Sequence, residues 1–269
     1  MTGLRLRTFL AACAFCWAAV SLMPGLAPCF SFAQDGDLNA LLDRIADRAK
    51  SHGDIKSWRA TAVTVVTEMD KNWKPKKTTR VRKTVAVTGS ERSEKVLEAL
   101  QTEKGVTKDV TTESIREGGE KRRDDKDKPA DNSTGNGDEK GGMSRSLSLE
   151  ELLPFSEKAR QSFTFARLAD EVIDGRGVYV LESKAKIKDE KFWEGRYFIS
   201  PESYDVLRVI LTISKNPKFV KELSTEIDFQ VLPDGQFFIK KTRMKVDAGM
   251  IIKHIRMVIE EEYSDIEIL

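Results

Sequence analysis

The sequence predicts a mainly β protein built on a strongly curved antiparallel sheet, and three observations carry that prediction. First, Trp193, Gly195, Tyr197 and Ile199 fall on one side of a period-two run whose other side holds Glu194 and Arg196. Second, the alternation repeats. Leu207, Val209, Leu211 and Ile213 oppose Arg208 and Thr212, and Leu223, Ile227, Phe229 and Val231 oppose Glu222, Glu226 and Asp228. Third, turn chemistry separates the runs. Pro201 pre-sets the backbone angle within Ser200–Ser203, and Gly235 supplies the positive φ that a Pro233-Asp234-Gly235 hairpin needs. Long strands with short turns make a meander with one buried face and one wet face.

The chain opens on an export signal. Arg5 and Arg7 precede an apolar stretch from Thr8 to Leu26, and Ser31-Phe32-Ala33 sets small residues where a signal peptidase reads. Cleavage after Ala33 leaves residues 34–269 as one domain. The alternatives are an uncleaved membrane anchor, opposed by Pro24, Gly25 and Pro28, and lipidation at Cys13 or Cys29. Cys13, Cys16 and Cys29 are the three cysteines and all lie in this segment, so the mature chain has no disulfide and no thiolate site. It must stabilise itself by core burial, for which it is long enough. Losing Arg5 and Arg7 takes the formal charge from +2 to about zero, and no global field favours nucleic acid.

Asp37 to Lys50 reads as an amphipathic helix with Leu38, Leu41, Leu42, Ile45, Ala46 and Ala49 on one stripe, stopped by Gly53. It is either a lid over a cavity in the sheet or an ordinary helix packed as core. Trp58 to Met69 is a β-branched strand; a turn from Asp70 to Pro75 leads to a second strand, Thr78 to Thr88. Lys95 to Leu100 fits a strand or a helical turn. The basic stretch from Lys71 to Lys83, with Trp73 inside it, suits anionic lipid headgroups or the solvated face of a strand pair.

From about 113 to 142 the composition changes: residues 117–129 and 132–142 hold no aromatic or aliphatic residue and mix both charges, the composition of a disordered insertion. It also carries a glycosylation sequon at Asn132. Ser148 and Glu151 form a capping box for a short second helix bearing Leu149, Leu152 and Leu153. Strands follow from Phe163, after the turn Asp174–Gly177, and from Phe237 to Val246. Asp247-Ala248-Gly249 then turns the chain into a last strand with Ile251, Ile255, Met257, Ile259 and Tyr263.

Signs of chemistry are missing from the sequence. His52 and His254 are the two histidines, with no second ligand at metal-binding spacing, and each reads as a surface or satisfied structural residue. No nucleophile elbow, zinc-protease motif or phosphate loop appears. Glu260, Glu261 and Glu262 read as a charged strand end. The expectation is a non-enzyme without cofactor or metal.

The order of features resembles the outer-membrane lipoprotein-sorting family, the LolA/LolB-like fold. The residues that carry it are Trp58-Arg59-Ala60-Thr61, Gly175 to Glu182, Gly195 to Arg208 with its strand, turn and Val206-Leu207-Arg208 return, and Ile259 to Asp265. The resemblance implies an incompletely closed antiparallel barrel of roughly ten strands, with the first helix and a short second helix as lid. It further implies a periplasmic carrier or chaperone whose concave side takes acyl chains of lipoproteins or another apolar ligand. Trp193, Tyr197, Leu207, Val209, Leu211, Leu223, Ile227 and Phe229 are the candidate lining residues. If the cavity is open, truncating Tyr197 or Val209 weakens lipid binding at little cost in stability. The alternative is an envelope sensor or interaction module with a filled core, whose charged loop binds a protein partner.

Overall fold

The computed structural model describes residues 35–52, 55–89, 91–116, 152–249 and 254–269. The signal segment, most of the charged insertion, the capping box at Ser148, and Gly53 and Ile251 lie outside the described residues. Helix α1 (Asp35–Ser51) is followed by β1 (Ser57–Met69), β2 (Pro75–Thr88), β3 (Glu91–Glu103) and β4 (Val106–Asp109). Residues 111–116 form helix α2, which overlaps the start of the sequence-predicted insertion. Helix α3 (Glu157–Arg160) precedes β5 (Phe163–Arg167), β6 (Glu171–Ile173), β7 (Arg176–Ala185), β8 (Trp193–Ile199) and β9 (Val206–Ile213). The long strands β10 (Val220–Val231), β11 (Phe237–Gly249) and β12 (His254–Ile268) complete the chain.

All pairings are antiparallel. The order across the sheet is β4-β3-β2-β1-β12-β11-β10-β9-β8-β7-β5, with β6 added on β7. The two meanders are joined by β1 and β12, where Val65 lies opposite Glu260 and Thr64 opposite Glu261. Among the described residues β4 and β5 do not pair, so the sheet is curved but not closed, and the charged insertion of the sequence connects its two free edges.

Local chemistry explains the elements. Asp37 in the first turn of α1 and Arg48 and Lys50 in the last complement the helix dipole. Ser156 caps α3 by accepting from the Ala159 amide. Lys95 to Leu100 is strand, because β2 supplies a partner edge running from Thr84 opposite Lys95 to Arg80 opposite Leu100, with a bulge at Leu97. Asp247 to Gly249 continues β11 rather than turning, through pairing with His254, Ile255 and Arg256.

Register puts one face of β7 to β11 inward. Leu181, Tyr197, Val209 and Ile227 lie side by side on successive strands, and Ser183, Gly195, Leu211 and Thr225 form the next row. At Gly195 φ is +152°, and a Cβ would lie 2.1 Å from the Ile210 carbonyl oxygen; only glycine permits this approach of β8 to β9. The outward face is laced with cross-strand ion pairs, including Lys245 with Glu222 at 2.9 Å and Arg243 with Glu260 at 3.8 Å.

Candidate functional site

The inner face between β7 and β11 is one apolar surface, and α1 lies on it. Trp193, Tyr197, Val209, Leu211, Ile227 and Phe229 are buried in a single cluster with Leu41, Leu42, Ile45 and Ala46 of α1 and with Leu152, Leu153 and Phe155. Leu223 is half-buried against the same cluster. Phe155 meets the Tyr197 ring edge-on at 4.9 Å. The Tyr197 hydroxyl shares a hydrogen bond of 3.2 Å with Ser183 Oγ; burial pushes this phenol's pKa up, and the bond to Ser183 offsets part of the rise.

Two expectations are corrected here. Leu207 does not share the inner face: it packs on the opposite side of the sheet against the cluster of Val178, Val180 and Phe198. A bulge is the reason, since Phe198 pairs with Arg208 and Ile199 with Val206, leaving Leu207 as the extra residue that flips the alternation. Nor do Tyr197 and Val209 face an open cavity, for both are 0% exposed beneath the helix. A small cleft between Ile45, Arg48, His52, Leu153, Tyr204, Asp205 and Phe237 has a volume of about 10 Å³, about enough for one water.

That cleft is closed by polar contacts at the C-terminal end of α1. Asp205, on the loop after β8, is 5% exposed and accepts from Arg48 Nε at 2.6 Å and Arg48 Nη2 at 3.2 Å. His52 Nε2 lies 2.6 Å from the same carboxylate, and its Nδ1 lies 3.2 Å from the Gly235 carbonyl on the β10–β11 hairpin. The His52 ring stacks on Phe237 at 4.9 Å. Burial alone raises the pKa of Asp205, but the hydrogen bonds from Arg48, Ser203 and His52 outweigh it and hold the carboxyl below its ordinary value. Around this centre Arg44 reaches the Tyr204 hydroxyl at 2.5 Å, and Arg160 of α3 binds Asp43 at 2.7 Å. No backbone hydrogen bond joins α1 to the sheet among the described residues. Among the described residues the helix is attached to the sheet by side chains.

The sequence missed this centre because its members are about 150 positions apart. It also missed a polar patch on the inner side of β12, β1, β2 and β3. Lys83 sits between Glu94 at 3.1 Å and Glu261 at 3.0 Å, and Glu261 also accepts from Thr64 at 2.9 Å and Tyr263 at 2.7 Å. Burial works against the Glu261 charge, yet Lys83, Tyr263 and Thr64 hold its pKa below the ordinary value. The available signal was parity: Lys83 shares a face with Val81 and Val85. His254 likewise binds Asp247, at 2.5 Å, beside Arg256 at 2.9 Å. Among the described residues no group of three potential metal ligands occurs, and no helix is long and apolar enough to cross a membrane.

Neither a family model nor a curated protein matches the chain. A LolA superfamily protein from Nitrosomonas europaea matches with a TM-score of 0.37 at 12% identity, over 86% of this chain and 92% of that one. A DUF1329 family protein from Desulfovibrio piger matches with a TM-score of 0.37 at 11% identity, over 85% of this chain and 92% of that one. These likenesses are of fold.

Asp205→Asn tests how tightly α1 is held. The amide keeps the shape but loses the charge shared by Arg48 and His52, so unfolding stability should fall by about 1–3 kcal/mol. The sign of the pH effect follows from the lowered carboxyl pKa of Asp205. Its contribution is present above the unfolded-state carboxylate range, about pH 4, and is lost as pH falls through the lower folded value. Denaturant titrations across acid pH should therefore show a shallower loss in the variant than in the parent.

Proposed function

We propose that the protein is an exported, periplasmic carrier of acyl chains, from lipoproteins or another apolar ligand. The chains are taken on the inner face of the sheet when α1 lifts. The observation that carries this reading is the way the face is covered: an amphipathic helix held by apolar side chains and a peripheral polar centre, with no backbone bond to the sheet among the described residues. Burying the side chains of Leu41, Leu42 and Ile45 stabilises the closed form by about 1.5–3 kcal/mol each. An acyl chain laid on the same face recovers part of that burial, which lowers the cost of lifting the helix.

Purified protein should release lipid on extraction after native mass spectrometry. The double variant Leu42→Asp, Ile45→Asp sets charges against the apolar face, which favours the lifted helix; it should bind a fluorescent fatty-acid probe more tightly than the parent. No extractable lipid, together with no probe binding by parent or variant, would sink the carrier reading.

A second reading is an envelope interaction module with a filled core, and the near-complete burial of the candidate residues favours it. Under that reading the double variant only unfolds, and deleting residues 117–142 abolishes capture of a protein partner.

A further inference from the structure

We infer that one rim of the sheet docks on an anionic lipid bilayer, with lysines for the headgroups and apolar loop tips that enter the membrane. The inference goes beyond the carrier reading and does not need α1 to move. Antiparallel register brings four turns to the same rim: β1–β2, β3–β4, β7–β8 and β9–β10. Residues 70–76, 103–105, 186–192 and 214–221, which form these turns, hold ten lysines against four carboxylates. The other rim is the reverse. Its turns, residues 89–90, 174–175, 200–205 and 232–236, hold four carboxylates and neither lysine nor arginine. The sheet is thus polarised from end to end, although the chain as a whole is close to neutral. A basic rim of this kind matches the negative potential of a bilayer that contains acidic lipids.

The lysines of this rim are not spent on internal ion pairs. Among the described residues no carboxylate pairs with Lys71, Lys74, Lys76, Lys215, Lys218 or Lys221, and all six are exposed. Of the four carboxylates, Asp70 is turned to its own backbone, accepting from the Asn72 and Lys74 amides at 2.8 and 2.9 Å. Asp189 lies 3.8 Å from Lys191, and Glu103 and Glu190 are exposed. The apolar tips stand among the lysines. Ile187 is 71% exposed between Lys186 and Lys188, and Phe219 is 51% exposed beside Lys218. Their two loops are bonded to each other: Ser214 Oγ donates to the Asp189 carbonyl at 2.9 Å, and the Ser214 amide donates to that of Phe192 at 2.8 Å. The Phe219 backbone, at φ +69°, takes a conformation that a bulky residue resists. Packing within the domain accounts for neither the exposure nor the backbone of this ring. Separate apolar tips ringed by lysines suit a fluid bilayer, which each can enter alone. An acidic protein would have to supply a pocket for every one.

The test is co-sedimentation of the chain from Gln34, which holds every described element, with vesicles of equal parts phosphatidylglycerol and phosphatidylcholine. The parent should bind these vesicles, should leave pure phosphatidylcholine vesicles in place, and should bind less as salt rises. Lys215→Glu with Lys218→Glu should weaken binding by about twentyfold or more, from about fivefold for each lysine lost. Lys56→Glu with Lys240→Glu makes the same charge change at exposed positions toward the other rim, and should weaken binding by about twofold or less. Phe219→Asn removes the ring and tolerates the positive φ. It should keep the melting temperature or raise it, while binding falls about tenfold. Failure of the parent to bind the anionic vesicles, equal losses for the two lysine pairs, or Phe219→Asn binding like the parent would overturn the docking rim. A parent that ignores vesicles but captures an acidic protein through Lys215 and Lys218 would assign the rim to a protein and overturn it too. Equal binding to both kinds of vesicle would mark lipid uptake on the inner face, which keeps the carrier and removes the dock. Docking without fatty-acid probe binding does the reverse.

Discussion

Gly195→Ala is expected to cost about 3 kcal/mol or more, the upper range for an overpacked site. The added methyl would meet backbone, not a side chain that can swing away: the Ile210 carbonyl oxygen at 2.1 Å and Leu211 Cα at 3.0 Å. Relief requires β8 and β9 to part where they set Trp193, Tyr197, Val209 and Leu211 on the inner face. The backbone at 195, at φ +152°, is also one that a side chain resists. For a domain of this size the melting temperature should drop by about 6–12 °C, read by circular dichroism. Ser183→Ala, one strand away in the same row, removes an atom instead of adding one and should cost only its hydrogen bond to Tyr197, about 1–3 kcal/mol. An unchanged melting temperature for Gly195→Ala would show that the two strands are not this close.

The sheet was legible where side-chain parity and turn chemistry agree. Pro233-Asp234-Gly235 turns as read, with Gly235 at φ +86°, and Ile227 and Phe229 both reach the inner cluster. Parity fails at a bulge, and no residue type announces one. Leu207 looks like every other apolar strand residue, yet one extra position sends it to the outer face; Leu97, between Glu98 opposite Arg82 and Val96 opposite Lys83, is displaced in the same way and is exposed. Charge misled at Lys83 and Glu261, which lie on the inner side because each satisfies the other. The segment from Lys95 to Leu100 carries both helical and strand propensity, and only the tertiary partner β2 decides it. The Asp205 centre was out of reach altogether, since nothing local in Arg48 or His52 points to a carboxylate on a distant loop. The open question about the lining residues, cavity or core, is a matter of what covers them, which alternation within a strand does not encode.

Tyr197→Ala should be among the most destabilising changes in the chain, at about 3–5 kcal/mol for truncating a buried aromatic. The ring is 0% exposed, lies on the inner face between Leu181 and Val209, and takes the edge of Phe155 at 4.9 Å. Its removal leaves a cavity under α1 and strips Ser183 of the hydroxyl it bonds at 3.2 Å. Tyr197→Phe separates the two losses: it keeps the packing and abandons only the hydrogen bond, which should cost about 1–3 kcal/mol. The pair of variants also bears on ligand binding. In the closed form both changes weaken the seat of the helix, so a face that accepts acyl chains should bind a fatty-acid probe at least as tightly in Tyr197→Phe as in the parent, despite the lower melting temperature. Tyr197→Ala carries the opposite contribution as well, because the ligand loses the ring it would lie on. Melting temperatures falling in the order parent, Phe variant, Ala variant are the expected result of thermal denaturation. An Ala variant as stable as the parent would mean that the ring faces open space, with α1 not seated over it.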